Sequence, residues 1–304
     1  MSPPRTRLRA RKQNPPSHVP ATATAKATDL VSSGDPVTGP LESRVDDAGQ
    51  PPNAIQVLPS RLTSAHTKLS RDDHQLLLSK QARLQKYAIQ VPRDFRKHDA
   101  AAQATLVFAQ EEAGTAVCVS PDGLLLTCAH CVAEDDAEPD PESLHWLLFA
   151  SGQAVAARCV AWDERRDLAL LRVVAAQAEP TQRAFPFVQT AETGPSPGDK
   201  LVCVGHPGSE DFEAAEPGLK TGYDVLHLST GSFRGYADGQ DLQDNSEIGA
   251  LQHDCWTYWG HSGAPLFDRR SGRLVGLHSS WDDETAMRRG VALEAIAAFL
   301  SANV

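Results

Sequence analysis

The spacing of apolar residues along the chain changes twice. Through residue 68 it has no sustained period: prolines recur, alanine and threonine alternate at 21–25, and the stretch reads as a disordered tail. From Ser70 the spacing becomes helical. Ser70 suits an N-cap, Asp72 and Asp73 open the first turn, Leu76, Leu77, Leu84 and Tyr87 follow, and Pro92 ends the run, so residues 69–102 form a helical lead-in. From residue 104 the apolar runs are short and separated by Gly, Pro and Asp turns. They predict strands at 104–109, 116–119, 124–127, 146–149, 155–162 and 168–174, then a Pro/Gly link near 193–198. A second set follows at 201–205, 225–234, 250–254, 265–268, 273–278 and 290–293. Two groups of about six strands suit an all-β fold of two antiparallel barrels, each closed enough to hide its edges. Barrel one is expected over about 103–192 and barrel two over about 199–293.

Composition narrows the partners. The 304 residues are 41% hydrophobic and carry a formal net charge of −10, which argues against a whole-protein nucleic-acid binder. Arg172 interrupts the longest apolar run, 168–176, so no membrane span is expected. The basic stretch at 5–12 is open to four readings. It could be a nuclear localisation signal, an arm touching nucleic acid, part of a mitochondrial transit peptide, or a solvated basic tail. Met1 is followed by prolines and arginines rather than a secretory apolar segment. The expected location is therefore intracellular, cytoplasmic or nuclear, with mitochondrial as the alternative, and not secreted. Cys118, Cys159 and Cys203 lie in apolar runs and read as buried; all six cysteines are expected to be reduced thiols.

The candidate chemistry lies in three separated segments. Ser262 sits in Gly260-His261-Ser262-Gly263-Ala264-Pro265, a context that could be a plain surface turn but would also suit a nucleophile. Gly260 would let a backbone N–H approach a substrate carbonyl, and Gly263 permits a tight turn. An apolar run, Leu124-Leu125-Leu126-Thr127-Cys128-Ala129, ends on His130. Asp167 opens another, Leu168-Ala169-Leu170-Leu171. The order His…Asp…Ser is the one used by two-barrel serine peptidases.

On these segments the stretch from about 103 to the end resembles a chymotrypsin-fold, trypsin-like serine peptidase. Further matching pieces are Gly114-Thr115-Ala116-Val117, Asp122-Gly123, Gly198-Asp199, Val204-Gly205-His206-Pro207-Gly208 and Val275-Gly276-Leu277-His278. The closest branch is that of the glutamyl endopeptidases and Deg-type protease domains. The resemblance implies a peptidase domain over 103–304 with a short C-terminal helix at 294–302. It also implies a serine endopeptidase acting on protein or peptide substrates through an acyl-enzyme, with no metal or organic cofactor. His130 would be the general base, Asp167 its orienting carboxylate and Ser262 the nucleophile, with the N–H groups of Gly260 and Ser262 as oxyanion hole. Asp163 is a rival by proximity, and Asp167 could instead pair with Arg165 or Arg166.

Thr257 and His278 stand where glutamyl endopeptidases receive an acidic side chain, and Ser279 lies on the same edge, so cleavage after an acidic residue, Glu and also Asp, is one expectation; a protonated His278 would favour it further. A plain strand histidine is the alternative. His261 replaces the zymogen aspartate and the Asn of the relatives, which puts the oxyanion loop in question. Cys128-x-x-Cys131 hints at a metal, yet it lacks a second such pair, and ligation of His130 would remove the base. Two other classes stay open: a catalytically silent, protease-like binding module, and a nucleus-associated protein using the basic tail. The sequence leaves the oligomeric state open.

Overall fold

The computed structural model describes residues 55–304 except 111–113, 134–137, 179–183, 212 and 217. The basic run at 5–12, and the expected disordered tail as far as residue 54, lie outside the described residues. The last part of that expected tail has regular structure. Strand β1 (Gln56–Leu58) pairs in parallel with residues 175–177, and helix α1 (Ser64–Thr67) follows. Leu58 and Leu62 are buried there, so the ordered chain begins before residue 68.

Helix α2 (Arg71–Lys86) forms where its caps are written. The Asp73 N–H donates to Ser70 Oγ at 3.1 Å, Asp72 and Asp73 face the positive helix end, and Arg83 and Lys86 face the negative one. Its inner face carries Leu77, Lys80, Gln81 and Leu84. Two of those are polar and are satisfied. Lys80 donates to the carbonyls of Phe108 and Gln110 at 3.0 and 3.1 Å, and Gln81 donates to the Gly152 carbonyl at 2.7 Å and to Gln177 at 2.8 Å. The helix is thereby docked on the first barrel by apolar packing and buried hydrogen bonds together. Leu77 is fully buried, so Leu77→Ala is expected to lower unfolding free energy by about 2–5 kcal/mol, read as a drop in urea midpoint at unchanged slope.

After the short helix α3 (Asp99–Gln103) come β2 (Thr105–Phe108), β3 (Thr115–Cys118), β4 (Leu124–Thr127), β5 (His145–Phe149), β6 (Ala154–Asp163) and β7 (Leu168–Gln177). Their spatial order is β7-β4-β3-β2-β5-β6, and β6 pairs back onto β7, which closes the barrel; β1 adds outside β7. The second closed barrel is built from β8 (Lys200–Gly205), β9 (His227–Tyr236), β10 (Leu251–His253), β11 (Pro265–Asp268), β12 (Leu274–Trp281) and β13 (Arg288–Ala292), in the order β10-β13-β12-β11-β8-β9. Helix α4 (Leu293–Asn303) ends the chain and buries Leu293, Ala295, Ile296 and Phe299. The all-β, two-barrel expectation holds. Among the described residues no helix is long and apolar enough to cross a membrane.

Register decides which loops meet. Thr127 of β4 pairs with Ala169 of β7, so the turn leaving β4 lies beside the turn entering β7. Those two turns carry His130 and Asp167. Ser262 lies in the loop between β10 and β11, and its carbonyl accepts from the Thr115 N–H of β3 at 2.8 Å, joining that loop to the first barrel.

Candidate active site

His130 sits in a 3-10 turn, Ala129–Cys131, directly after β4. Its Nδ1 lies 2.9 and 3.0 Å from the two carboxylate oxygens of Asp167, and its backbone N–H donates to Asp167 Oδ1 at 3.3 Å. One carboxylate therefore fixes both the ring and the turn that carries it. With Nδ1 turned to a carboxylate, the stable neutral form carries its proton there and leaves Nε2 as a lone pair. Asp167 is 7% exposed, whereas the His130 side chain is 46% exposed. A buried carboxylate thus stands behind an imidazole that solvent and substrate can reach.

Asp167 occupies this position at φ 52°, a left-handed conformation that aspartate tolerates better than most residues. Its N–H closes the turn by donating to the Glu164 carbonyl at 3.1 Å. The competing assignments are spoken for elsewhere. Asp163 accepts from the Arg166 N–H and guanidinium, Arg166 also donates to Gln243, and Arg165 pairs with Asp241 and Asp244. Asp163 is thereby removed as the rival carboxylate.

Ser262 is held against the same turn. Its carbonyl accepts from Thr115 N–H and, at 3.5 Å, from the thiol of Cys131, the residue after His130. Its hydroxyl donates to the Ser279 carbonyl at 3.3 Å. Gly263 has φ 80°, and a Cβ there would lie 2.1 Å from the Thr115 carbonyl, so only glycine permits this approach of the two barrels. Gly260 has φ 91°, and a Cβ would lie 2.6 Å from the His206 carbonyl. Among the described residues neither the Gly260 N–H nor the Ser262 N–H has a hydrogen-bond partner, so both are available to an oxyanion.

Thr115 lies in the matching Gly114-Thr115-Ala116-Val117 piece, but the sequence assigned it no role of its own. Fully buried, its hydroxyl donates to the Gly260 carbonyl at 2.9 Å and accepts from the His206 N–H at 3.0 Å. It orients the peptide at Gly260, on which the loop before Ser262 turns. A threonine in a strand gives no sign of this in sequence, because the partner is 145 residues away.

His261 fits without disturbing that loop. Its Nδ1 lies 3.1 Å from both the N–H and the carbonyl of Tyr258, and the Tyr258 carbonyl also accepts from the His261 N–H at 3.0 Å. The ring occupies space left by Gly205, where a Cβ would come within 2.5 Å of it. Burial lowers its pKa to about 3, so the ring is neutral and offers no charge to capture a chain terminus.

The remaining predicted residues gather nearby. His278 and Thr257 are 5% and 8% exposed, and Ser279 lies next to Ser262 through its carbonyl. His278 Nδ1 lies 3.1 Å from Nε2 of fully buried His253. Burial, followed by the proximity of His253, His261 and Arg288, holds the His278 pKa well below the usual histidine range. His278 is thus neutral before substrate arrives, so the added attraction that a protonated ring would give a carboxylate is not present. His253, lowered to about 3 chiefly by burial, and His206, lowered well below its usual value by burial, are neutral too.

These four rings set a pH dependence of stability. Each binds less proton when folded than when unfolded, so stability is retained above the unfolded pKa near 6.5 and falls as pH drops below it. Each ring is expected to contribute a loss of about 1.4 kcal/mol per pH unit below that point, before mutual coupling. Thermal unfolding followed between pH 7 and pH 5 should show a falling Tm that His261→Asn makes shallower.

All six cysteines are free thiols. Cys118 and Cys203 are buried as expected; Cys159 is only half-buried, lying at an irregularity in the pairing of β6 with β7.

A family model described as a trypsin-like peptidase domain matches residues 114–277. Among solved structures, Rv3671c from M. tuberculosis H37Rv, in an inactive mutant form, is 18% identical, covering 71% of this chain and 95% of its own at a TM-score of 0.49. A serine endoprotease from Yersinia pestis is 20% identical, covering 70% of this chain and 67% of its own at a TM-score of 0.48. No curated protein matches the chain.

Proposed function

The chain belongs to the trypsin-like peptidase domain family, and from that premise we propose a serine endopeptidase in which Ser262, His130 and Asp167 carry the reaction. The observation that supports it most directly is the two-pronged contact of Asp167 with the ring and backbone of His130, on a turn bonded to Ser262. In the proposed cycle the Ser262 hydroxyl exchanges its bond to Ser279 for one to His130 Nε2 by rotating about its side chain. His130 takes the proton as Ser262 Oγ attacks the scissile carbonyl, and Asp167 stabilises the imidazolium. The oxyanion is received by the N–H groups of Gly260 and Ser262. The imidazolium then protonates the leaving amine, and water, deprotonated by the same ring, hydrolyses the acyl-enzyme. Labelling with a fluorophosphonate tests the assignment. Stoichiometric attachment at Ser262 is expected, and a folded protein that is not labelled would instead be the silent binding module.

The substrate preference we propose is for an acidic residue, glutamate foremost, before the cut. His278 and Thr257 supply an imidazole and a hydroxyl, and the Thr257 hydroxyl has no hydrogen-bond partner among the described residues. His253 selects which nitrogen of His278 faces substrate. If His253 accepted the bond between them, its own Nδ1, which has no partner, would carry a stranded buried N–H. If His253 donates, only a lone pair is left unpaired, and His278 keeps its proton on Nε2 as a donor for a carboxylate. This is recognition by a neutral donor rather than an imidazolium. His253→Leu is expected to lower kcat/KM on a glutamyl peptide about tenfold, mostly through KM, with little change on an alanyl peptide. A cleavage profile favouring basic or large aromatic residues would remove the acidic preference.

A further inference from the structure

We propose that the buried face of the His130–Asp167 pair is an inhibitory zinc site, with Cys128, His130 and Asp167 as its three protein ligands. Cys128 Sγ, an imidazole nitrogen of His130 and a carboxylate oxygen of Asp167 lie within 4.8 Å of one another. Thiolate, imidazole and carboxylate in one cluster suit zinc, whose protein sites take these donors, and they do not suit hard cations that prefer all-oxygen shells. Two anionic ligands and one neutral ligand balance a divalent ion. That neutrality fits a place where Cys128 is fully buried and Asp167 nearly so. The half-exposed His130 ring gives the ion an entry path, and a water would complete the fourth position.

Ligation at this face would switch the base off without filling the substrate cleft. The ion takes the Nδ1 lone pair, so the proton that sat on Nδ1 moves to Nε2. The Cys128 thiol proton leaves to solvent as the sulfur–metal bond forms. An Nε2 that carries a proton cannot accept one from Ser262. Ligation of the base, which makes zinc a poor choice for a structural site here, becomes the means of control. Cys131 is not required: its thiol points to the Ser262 carbonyl.

The inhibitory role rests on the peptidase reading above, whereas the binding site does not, and the experiment separates them. Zinc is titrated calorimetrically into the full chain, wild type and Cys128→Ala, Cys128→Ser and Cys131→Ala, and cobalt is substituted as a spectroscopic reporter. The expected result is one zinc per wild-type chain, a cobalt spectrum with a sulfur-to-metal charge-transfer band, and no response to magnesium or calcium. Cys128→Ala and Cys128→Ser should each weaken zinc by at least ~10–100-fold, serine keeping the side-chain volume should alanine unfold the protein, while Cys131→Ala binds as wild type. In parallel, zinc should slow fluorophosphonate labelling of wild type reversibly on chelation, and leave Cys128→Ala labelled at its metal-free rate. Equal zinc affinity in wild type and the Cys128 variants, or loss in Cys131→Ala alone, overturns the site. Zinc binding through Cys128 in a chain that never labels would uphold the site and sink the peptidase reading.

Discussion

Ser262→Ala is expected to lower kcat on any peptide the protein cleaves by ~10⁵–10⁶-fold and to abolish fluorophosphonate labelling, with KM and Tm little changed. The size follows from what is lost. Without the hydroxyl there is no acyl-enzyme, and His130 has no proton to accept from the protein. The residual rate would be that of water attack assisted by the Gly260 N–H and by substrate positioning. The fold should persist, because the contacts that hold this loop are made by backbone: the Ser262 carbonyl to Thr115 and Cys131, and the Gly263 N–H to the His278 carbonyl. A rate unchanged within tenfold, measured by initial velocities and confirmed by mass spectrometry of the products, would place the nucleophile elsewhere.

Asp167→Asn is expected to cost about 10⁴-fold in kcat at neutral pH, about 5.5 kcal/mol of transition-state stabilisation. An amide is nearly the same shape as the carboxylate, and asparagine also tolerates the φ of 52° at this position, so the turn should survive. What changes is the proton. The amide can present N–H to the ring, which favours the proton on Nε2, and it cannot neutralise the imidazolium. Labelling should slow in parallel with kcat while KM stays within a few-fold. Unfolding measurements keep the reading clean, since Asp167→Ala would mix catalytic loss with left-handed strain. An Asp167→Asn variant that works within tenfold of wild type would remove Asp167 from the mechanism.

Much of the site is legible in the amino-acid sequence because it depends on short, local patterns. Apolar runs ending at Thr127 and starting at Leu168 mark two strands whose ends must carry loops, and glycines flank Ser262 where the backbone has to turn tightly. The Ser70 cap and the acids behind it locate the start of α2. Three things are not legible there. Strand β1 is three residues long and is stabilised by β7, far along the chain, so its own apolar content carries no sign of it. Thr115 and His253 act through partners on other elements, and a lone threonine or histidine in a strand looks the same whether or not it has such a partner. The charge of His278 also depends on burial, and burial is a property of the packed barrel rather than of the residues beside it.

The order of residues by itself determined that the chain builds two sets of antiparallel strands, and that a histidine, an aspartate and a serine stand at loop positions between them. These follow from local alternation and turn chemistry, which act over a few neighbours. The tertiary structure alone decided that His130 meets Asp167, since that depends on the Thr127–Ala169 register. It alone decided that His261 fits against Gly205, that His278 is neutral, and that Cys128 comes close to His130 and Asp167. Distances and local dielectric are set by segments far apart in the chain, and they exist only once closing the barrels has brought those segments together.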